Sequence, residues 1–284
     1  MYLIKDAQVL ARNIKEFKVE APEIAVKAQP GQFVIVRQNE KAERIPLTIA
    51  DFNRNEGLIT IIFQEVGRST ADLGKLKPGD YLLDFVGPLG VPSDIRQYGT
   101  VVCVGGGVGV APLYPITKAL YNAGNRILSI IGARSADYII LEKEIQGVSE
   151  TTMVTTDDGS YGEKGLVINP LKRILDSEKV DLVVAIGPLV MMESVCTLTR
   201  SSGIKTVVSL NPIMLDGTGM CGACRVQVGN ERKFACVDGP EFDGHLVDWG
   251  NAKKRARMFE DEERIALSMT CCNQGGEGSC HQKK

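Results

Sequence analysis

The residues whose types and spacing carry chemistry most plainly lie in "LDGTGMCGACRV", Leu215 to Val226. Asp216, Cys221 and Cys224 stand at x4 and x2 spacings, and Cys236 follows after eleven residues in "KFACVDGPEF". A two-iron, two-sulfide cluster is held by C-x4-C-x2-C plus a distant fourth cysteine, so the aspartate occupies a place where a thiolate ligand belongs. Gly217, Gly219 and Gly222 suit a loop that folds around sulfide with main-chain N–H groups turned inward, several of them at positive φ. The same donors fit two other readings: a tetrahedral zinc site made by the three cysteines with Asp216 or His245, and a loop that holds no metal. "SMTCCNQGGEGSCH" gathers Cys271, Cys272, Cys280 and His281 in a polar stretch, where unbound thiols are the first reading and a second metal site the other.

A different chemistry is written in "VVCVGGGVGVAPLYPI". Gly105, Gly106, Gly107 and Gly109 follow an apolar run, and Pro112 stands near the first turn of the next helix. Glycines there let the main chain approach a pyrophosphate, and the helix start supplies N–H groups. The loop is not a full G-x-G-x-x-G, because Val110 stands in the last place, and a tight turn without ligand fits it too. In "AIGPLVMM", Gly187 and Pro188 fall at the end of another apolar run and predict a second turn on the same sheet edge, where ligands of open α/β sheets bind. "TTDDGSYGEKG" is a third loop of this kind, with Asp157 placed to meet a ribose. Earlier in the chain, "ERIPLTIAD" offers Arg44 and Thr48, and "EVGRSTADL" offers Gly67, Ser69 and Thr70, to phosphate oxygens; a solvated arginine and an ordinary N-cap are the plainer alternatives.

These residues need elements to position them. From the start to about Gly99 the runs "GQFVIVRQ", "LTIADF", "GLITIIFQEV" and "DYLLDFVGP" alternate with Gly- and Asn-rich turns, predicting short strands closed into a barrel or stacked as a sandwich, interrupted by a helix at "STADLGKL". From Thr100, "TVVCVGGG", "RILSIIGA" and "VDLVVAIGP" alternate with helical segments, the pattern of a parallel α/β sheet. A Gly- and Cys-rich texture follows "KTVVSLNPIM". The predicted organisation is multidomain: an antiparallel β-barrel over residues 1–98, an α/β unit over 99–210, a small iron-sulfur segment over 211–250 and a helical, polar tail over 251–284.

The 284 residues are 44% hydrophobic, enough for two or three cores, and 33 basic against 35 acidic side chains give a formal charge of -2. No sign excess draws this chain to nucleic acid or an anionic membrane. Charges within the first seventeen residues deny it a signal peptide, and the longest apolar run, "VDLVVAIGPLVMM", is shorter than the ~20 residues a bilayer span needs. A cytoplasmic location is expected, in which eight cysteines are ligands or thiols before they are disulfides.

Taken together, "RIPLTIAD" with "GRST", then "GGGVGVAP" with "GPLVMM", then the cysteine-rich end make the chain resemble the ferredoxin reductase-like flavoproteins, to about Trp249. Within that group, an aspartate before the first cysteine is similar to the small subunits of electron-bifurcating NADH-dependent reduced ferredoxin:NADP oxidoreductases, whereas electron-transfer subunits of dihydroorotate dehydrogenase carry four cysteines. The resemblance implies FAD in the barrel, held by Arg44, Pro46, Leu47 and Thr48, by Ile62 and Phe63, and by Gly67, Ser69 and Thr70. It implies NAD(H) on the α/β unit, held by Gly105, Gly106, Gly107, Val108, Gly109 and Ala111, by Arg134 and Asp157, and by Gly187, Pro188 and Met191. It implies a 2Fe-2S cluster on Asp216, Cys221, Cys224 and Cys236, and a larger partner subunit with its own FAD and 4Fe-4S clusters, through which ferredoxin is served. Arg44 lies one residue further from Thr48 than the family's R-x-x-[ST], and Leu47 stands where the family has an aromatic. With His245 and His281 the only histidines and neither in an acid–base motif, the expected reaction is hydride and electron transfer by cofactors, with no catalytic acid or base.

Overall fold

A computed structural model describes residues 1–272. Cys280 and His281 lie outside the described residues.

The first unit is a seven-stranded antiparallel sheet in the order β6-β1-β2-β5-β4-β3-β7. Its strands are β1 (Tyr2–Ala11), β2 (Ile14–Glu20), β3 (Phe33–Arg37), β4 (Ile45–Asn53), β5 (Leu58–Gln64), β6 (Tyr81–Leu82) and β7 (Asp84–Leu89). β6 pairs with β1 and β7 with β3, and Leu83 between them donates its N–H to Arg37 O at 2.9 Å. One stretch of chain thus joins the two ends of the sheet, closing it as a barrel. Alternate residues point inward: Phe17, Val19, Ile59, Ile61, Phe63 and Phe85 are at most 2% exposed and fill the interior. The helix α1 (Pro22–Ala25) adds Ile24 and Ala25 to the barrel core. Helix α2 (Arg68–Leu73) starts from Gly67 rather than from a hydroxyl side chain; Thr70, in its first turn, accepts the Gly67 N–H on Oγ1 at 3.1 Å.

The second sheet has the order β11-β10-β9-β8-β12-β13-β16. Six of its strands are parallel: β8 (Thr100–Gly106), β9 (Arg126–Ala133), β10 (Thr151–Thr156), β11 (Glu163–Lys164), β12 (Leu182–Ile186) and β13 (Thr206–Ser209). Helices α3 (Val110–Asn122), α4 (Glu142–Gln146), α5 (Ile168–Ser177) and α6 (Leu189–Ser201) make the crossovers. β8 and β12 are buried on both faces, which is why they read as unbroken apolar runs.

The cysteine-rich segment forms a hairpin of β14 (Arg225–Val228) and β15 (Glu231–Phe234), a single helical turn α7 (Ala235–Asp238), and β16 (Glu241–Asp243). β16 runs antiparallel to β13 and makes the sheet mixed. The chain then enters α8 (Trp249–Ala256) and α9 (Glu260–Cys272). Among the described residues after 250 the chain is largely helical, and α8 is anchored to the body at its start: Trp249 is 9% exposed and shares a core with Cys224, Cys236 and Val247. Among the described residues no helix is long and apolar enough to cross a membrane.

Candidate functional site: a cleft between barrel and sheet, and the loop beside it

A cleft of about 920 Å³ runs between the barrel and the second sheet. On the barrel side it is lined by Pro46, Leu47 and Thr48 of β4, Ile62, Phe63 and Gln64 of β5, and Thr70 of α2. On the sheet side it is lined by the ends of five parallel strands: Gly106 to Gly109 after β8, Gly132 to Arg134 of β9, Thr155 and Asp157 of β10, Ile186 to Pro188 with Met191 after β12, and Ser209 to Asn211 after β13. Every strand end is a carboxyl end, the edge at which open α/β sheets bind ligands.

The glycines divide into two groups. A Cβ on Gly105 would stand 2.8 Å from Val110 Cγ2, and one on Gly109 2.5 Å from Ile186 O, so these residues let the strand, the turn and the neighbouring loop pack. Gly187 approaches Gly106 in the same way. Gly107 differs: its φ is +55°, and a Cβ there would meet nothing within 4 Å, because that side of the turn faces the open cleft. Room left by a glycine at the mouth of a turn fits the main-chain approach of a dinucleotide. A second sign of a polar occupant is Thr155, a cleft-lining residue 1% exposed, whose buried Oγ1 has no hydrogen-bond partner.

Five expected residues are not among those lining the cleft. Arg44 donates from Nε to Leu215 O at 3.0 Å and from Nη1 to Asp84 at 3.4 Å, so its guanidinium ties the barrel to the cysteine-rich loop. Ser69 donates to Glu43, and Gly67 serves as the N-cap of α2. Gly105 packs under α3, and Ala111, 1% exposed, joins Ile14, Ala50 and Ile62 in the apolar seam between the units. The sequence reading missed Gln64, Tyr138, Thr155, Ser209, Asn211 and Met214. The position of Asn211 just past the apolar run "TVVSL" was the one usable signal, since a polar residue there sits at a strand's carboxyl end.

The cysteine-rich loop is held on both sides. Gly217, at φ +77°, lies so close to the barrel that a Cβ would come 2.7 Å from Leu89 Cδ1; Gly219 and Gly222 also take positive φ, +84° and +67°. The Asp216 carboxylate accepts the Thr218 N–H on Oδ1 and the Cys221 N–H on Oδ2, each at 2.8 Å, and the Thr218 bond foremost holds its pKa below the ordinary value. Cys221 is exposed. Cys224 and Cys236 are buried with their Sγ atoms 3.2 Å apart, and burial, then Cys224, pushes the Cys236 thiol up to about 12. The four candidate ligands thus stand as two pairs, Cys224 with Cys236 through their thiols and Asp216 with Cys221 through the Cys221 main-chain N–H. Among the described residues no three His, Cys, Asp or Glu side chains converge as a single-ion site. Donors in pairs suit a centre with two metal ions, each ion taking two protein ligands.

Residues 211–248 match the iron-sulfur cluster binding domain of dihydroorotate dehydrogenase B, and residues 103–197 match the oxidoreductase NAD-binding domain. The dihydroorotate dehydrogenase B (NAD(+)) electron transfer subunit homolog of Thermotoga maritima is 50% identical over 258 residues, 90% of this chain and 91% of its own length. The dihydroorotate dehydrogenase B (NAD(+)) electron transfer subunit of Desulforamulus reducens is 34% identical over 262 residues, 88% of this chain and 100% of its own. A chain of the NADH-dependent reduced ferredoxin-NADP oxidoreductase, a structure solved for insight into flavin-based electron bifurcation, aligns with a TM-score of 0.91 at 46% identity, covering 95% of this chain and 98% of its own. An Amycolatopsis cytochrome P450 reductase shares the fold at 20% identity, with a TM-score of 0.59 over 70% of this chain and 65% of its own. With relatives of this identity spanning nearly its whole length, the chain belongs to the family of ferredoxin reductase-like electron transfer subunits that includes those of dihydroorotate dehydrogenase B and their homologues.

Proposed function

We propose that this chain is the small subunit of an NADH-dependent reduced ferredoxin:NADP oxidoreductase, binding FAD on the barrel, NAD(H) at the sheet edge and a 2Fe-2S cluster at the cysteine-rich loop. One observation carries the reading: a single cleft of about 920 Å³ is lined from the barrel by β4, β5 and α2 and from the sheet by five strand ends, so two nucleotide cofactors can meet in it. When bound, those groups supply hydride transfer between nicotinamide and flavin and single-electron exchange between flavin and cluster. The protein binds, orients and excludes water. Pro46, Leu47 and Thr48 would hold the flavin against β4, with Ile62 and Phe63 on β5 as apolar floor and Thr70 as a hydroxyl partner. The turn from Gly106 to Gly109 and the Gly187–Pro188 step would receive the dinucleotide phosphates, and Arg134 and Asp157 the ribose end. Asp216 with Cys221, and Cys224 with Cys236, would hold the cluster, one pair on each iron.

A complex of the dihydroorotate dehydrogenase type is the second reading, favoured by the iron-sulfur domain matched over residues 211–248. Against it stands Asp216, in the place of a fourth cysteine. The partner implied by the first reading is a larger flavoprotein with its own FAD and 4Fe-4S clusters, in the cytoplasm. The test is purification of the native complex without added cofactors. Release of about one FAD per chain on denaturation, a visible iron-sulfur spectrum and a co-purifying large subunit that reduces ferredoxin support the reading. A partner that oxidises dihydroorotate selects the second, and a colourless zinc-loaded chain defeats both.

A further inference from the structure

We propose that Arg255 is a positioning residue for the cluster, fixing the main chain beside Cys224 and, by its positive charge, making the cluster easier to reduce. This rests on the assignment of the cluster to Asp216, Cys221, Cys224 and Cys236. Helix α8 presents Arg255 on a braced support. The Asp248 carboxylate caps the helix by accepting the Asn251 N–H at 2.9 Å, Trp249 donates from Nε1 to Gly244 O at 3.1 Å, and Lys253 is paired with Glu193 of α6 at 2.9 Å. From there Arg255 donates from Nη2 to Ala223 O at 2.8 Å, one residue before Cys224. Arg225 donates from Nη1 to Gly222 O at 3.1 Å, so two guanidinium groups grip consecutive carbonyls of the loop.

The charge balance there is unusual. Arg255 is half-buried, with its Nε buried and without a hydrogen-bond partner; desolvation and then the exposed Arg225 lower its pKa, and Cys224 is the other charge that acts on it. Two neighbouring cations repel one another, and an anion close to both relieves that repulsion. Three thiolates and a carboxylate around two ferric ions and two sulfides make an anionic group, which gains one further negative charge on reduction. A nearby guanidinium stabilises the more negative state more, so it shifts the electron equilibrium toward the reduced cluster. Arg255 also borders a cavity of about 30 Å³ with Leu210 and Asn211, and both of these also line the main cleft. The cation therefore stands where the cluster loop meets the cleft wall.

The experiment is a dye-equilibrated redox titration of the full chain with its cluster, read by the paramagnetic signal of the reduced form, in the parent, Arg255→Met and Arg255→Lys. Iron content and absorption spectrum are recorded for each. At a fixed potential, Arg255→Met is expected to keep its iron but lower the reduced-to-oxidised ratio about tenfold, equivalent to ~59 mV for a one-electron couple. Arg255→Lys, which keeps the charge, recovers most of that ratio. If Arg255→Met titrates like the parent, or if both variants shift alike or lose iron alike, charge plays no part and the inference is overturned. A parent chain that binds no iron is a separate result, which removes the cluster assignment itself.

Discussion

Adding a methyl group at two neighbouring glycines separates binding from folding. At Gly109 a Cβ would stand 2.5 Å from Ile186 O and 2.8 Å from Gly187 Cα, backbone atoms that cannot swing away. Gly109→Ala must therefore push the turn from the β12 loop, and overpacking of this kind costs about 1–3 kcal/mol. At Gly107 a Cβ meets nothing within 4 Å, and the only internal cost is a left-handed backbone at φ +55°, about 1–2 kcal/mol for a residue with a side chain. In exchange the methyl group projects into the space proposed for the dinucleotide. Gly107→Ala should lower the melting temperature by a few degrees, roughly 2–4 °C per kcal/mol for a chain of this size, yet weaken NADH at least tenfold, about 1.4 kcal/mol. FAD content should not change. Scanning fluorimetry without nucleotide gives the first number and NADH titration the second. If Gly107→Ala binds NADH like the parent, the pyrophosphate does not cross this turn and the proposed site is wrong.

Other outcomes follow from the same geometry. Asp216→Cys should keep a cluster with altered optical and paramagnetic spectra, because a carboxylate is a harder ligand than a thiolate; Asp216→Ala should loosen it, Cys224→Ala should abolish it, and an alanine variant with unchanged iron, spectrum and potential would make Asp216 a loop residue only. Thr155→Val replaces a buried hydroxyl that has no partner in the protein, so the nucleotide-free chain should be as stable or gain about 1 kcal/mol, while NADH affinity drops if that hydroxyl meets the cofactor; unchanged affinity would remove Thr155 from the site. Glu241, hydrogen-bonded by Ser93, has its pKa pushed by burial up to about 7. Its folded form favours the proton, so the stability this contributes is complete below the ordinary carboxyl pKa of 4.5 and is lost as pH rises through about 7. Glu241→Gln should then flatten the fall in melting temperature between acidic and neutral pH, by at most ~3 kcal/mol; an unaltered pH profile would show that Glu241 ionises normally.

What the sequence disclosed follows the range of the forces involved. β8, β9 and β12 were legible because burial on both faces demands unbroken apolar runs, and the cysteine loop because its glycines answer a local need, positive φ at Gly217, Gly219 and Gly222. β10 was not legible. "TTMVTT" looks like polar loop, but Thr155 and Thr156 are buried at 1% and 0%, their place fixed by parallel pairing to β9. β16 is only Glu241–Asp243, too short for any period, and its strand character comes from its neighbour β13. Arg44 shows the same limit at a single side chain: its hydrogen-bond partner, Leu215, is 171 residues away. A sequence motif offers it to phosphate, and the contacts it makes within the chain come from long-range packing that no motif records.

That engagement gives the fold its logic as a conductor of electrons. A cluster on a tethered arm would sample many distances to the cleft, and electron exchange would wait on its motion. Here the loop is fixed from three directions: Arg44 and the Gly217 contact pin it to the barrel, β16 adds its continuation to the edge of the second sheet, and Arg255 of α8 grips it from behind. The connection from β13 into the loop runs through Ser209, Leu210 and Asn211, which are themselves wall residues of the cleft. The site proposed for the cluster and the sheet-side wall of the cleft therefore share one short piece of covalent chain. A displacement of the loop is thus carried into the cleft wall, and the contacts that fix the loop fix that wall with it.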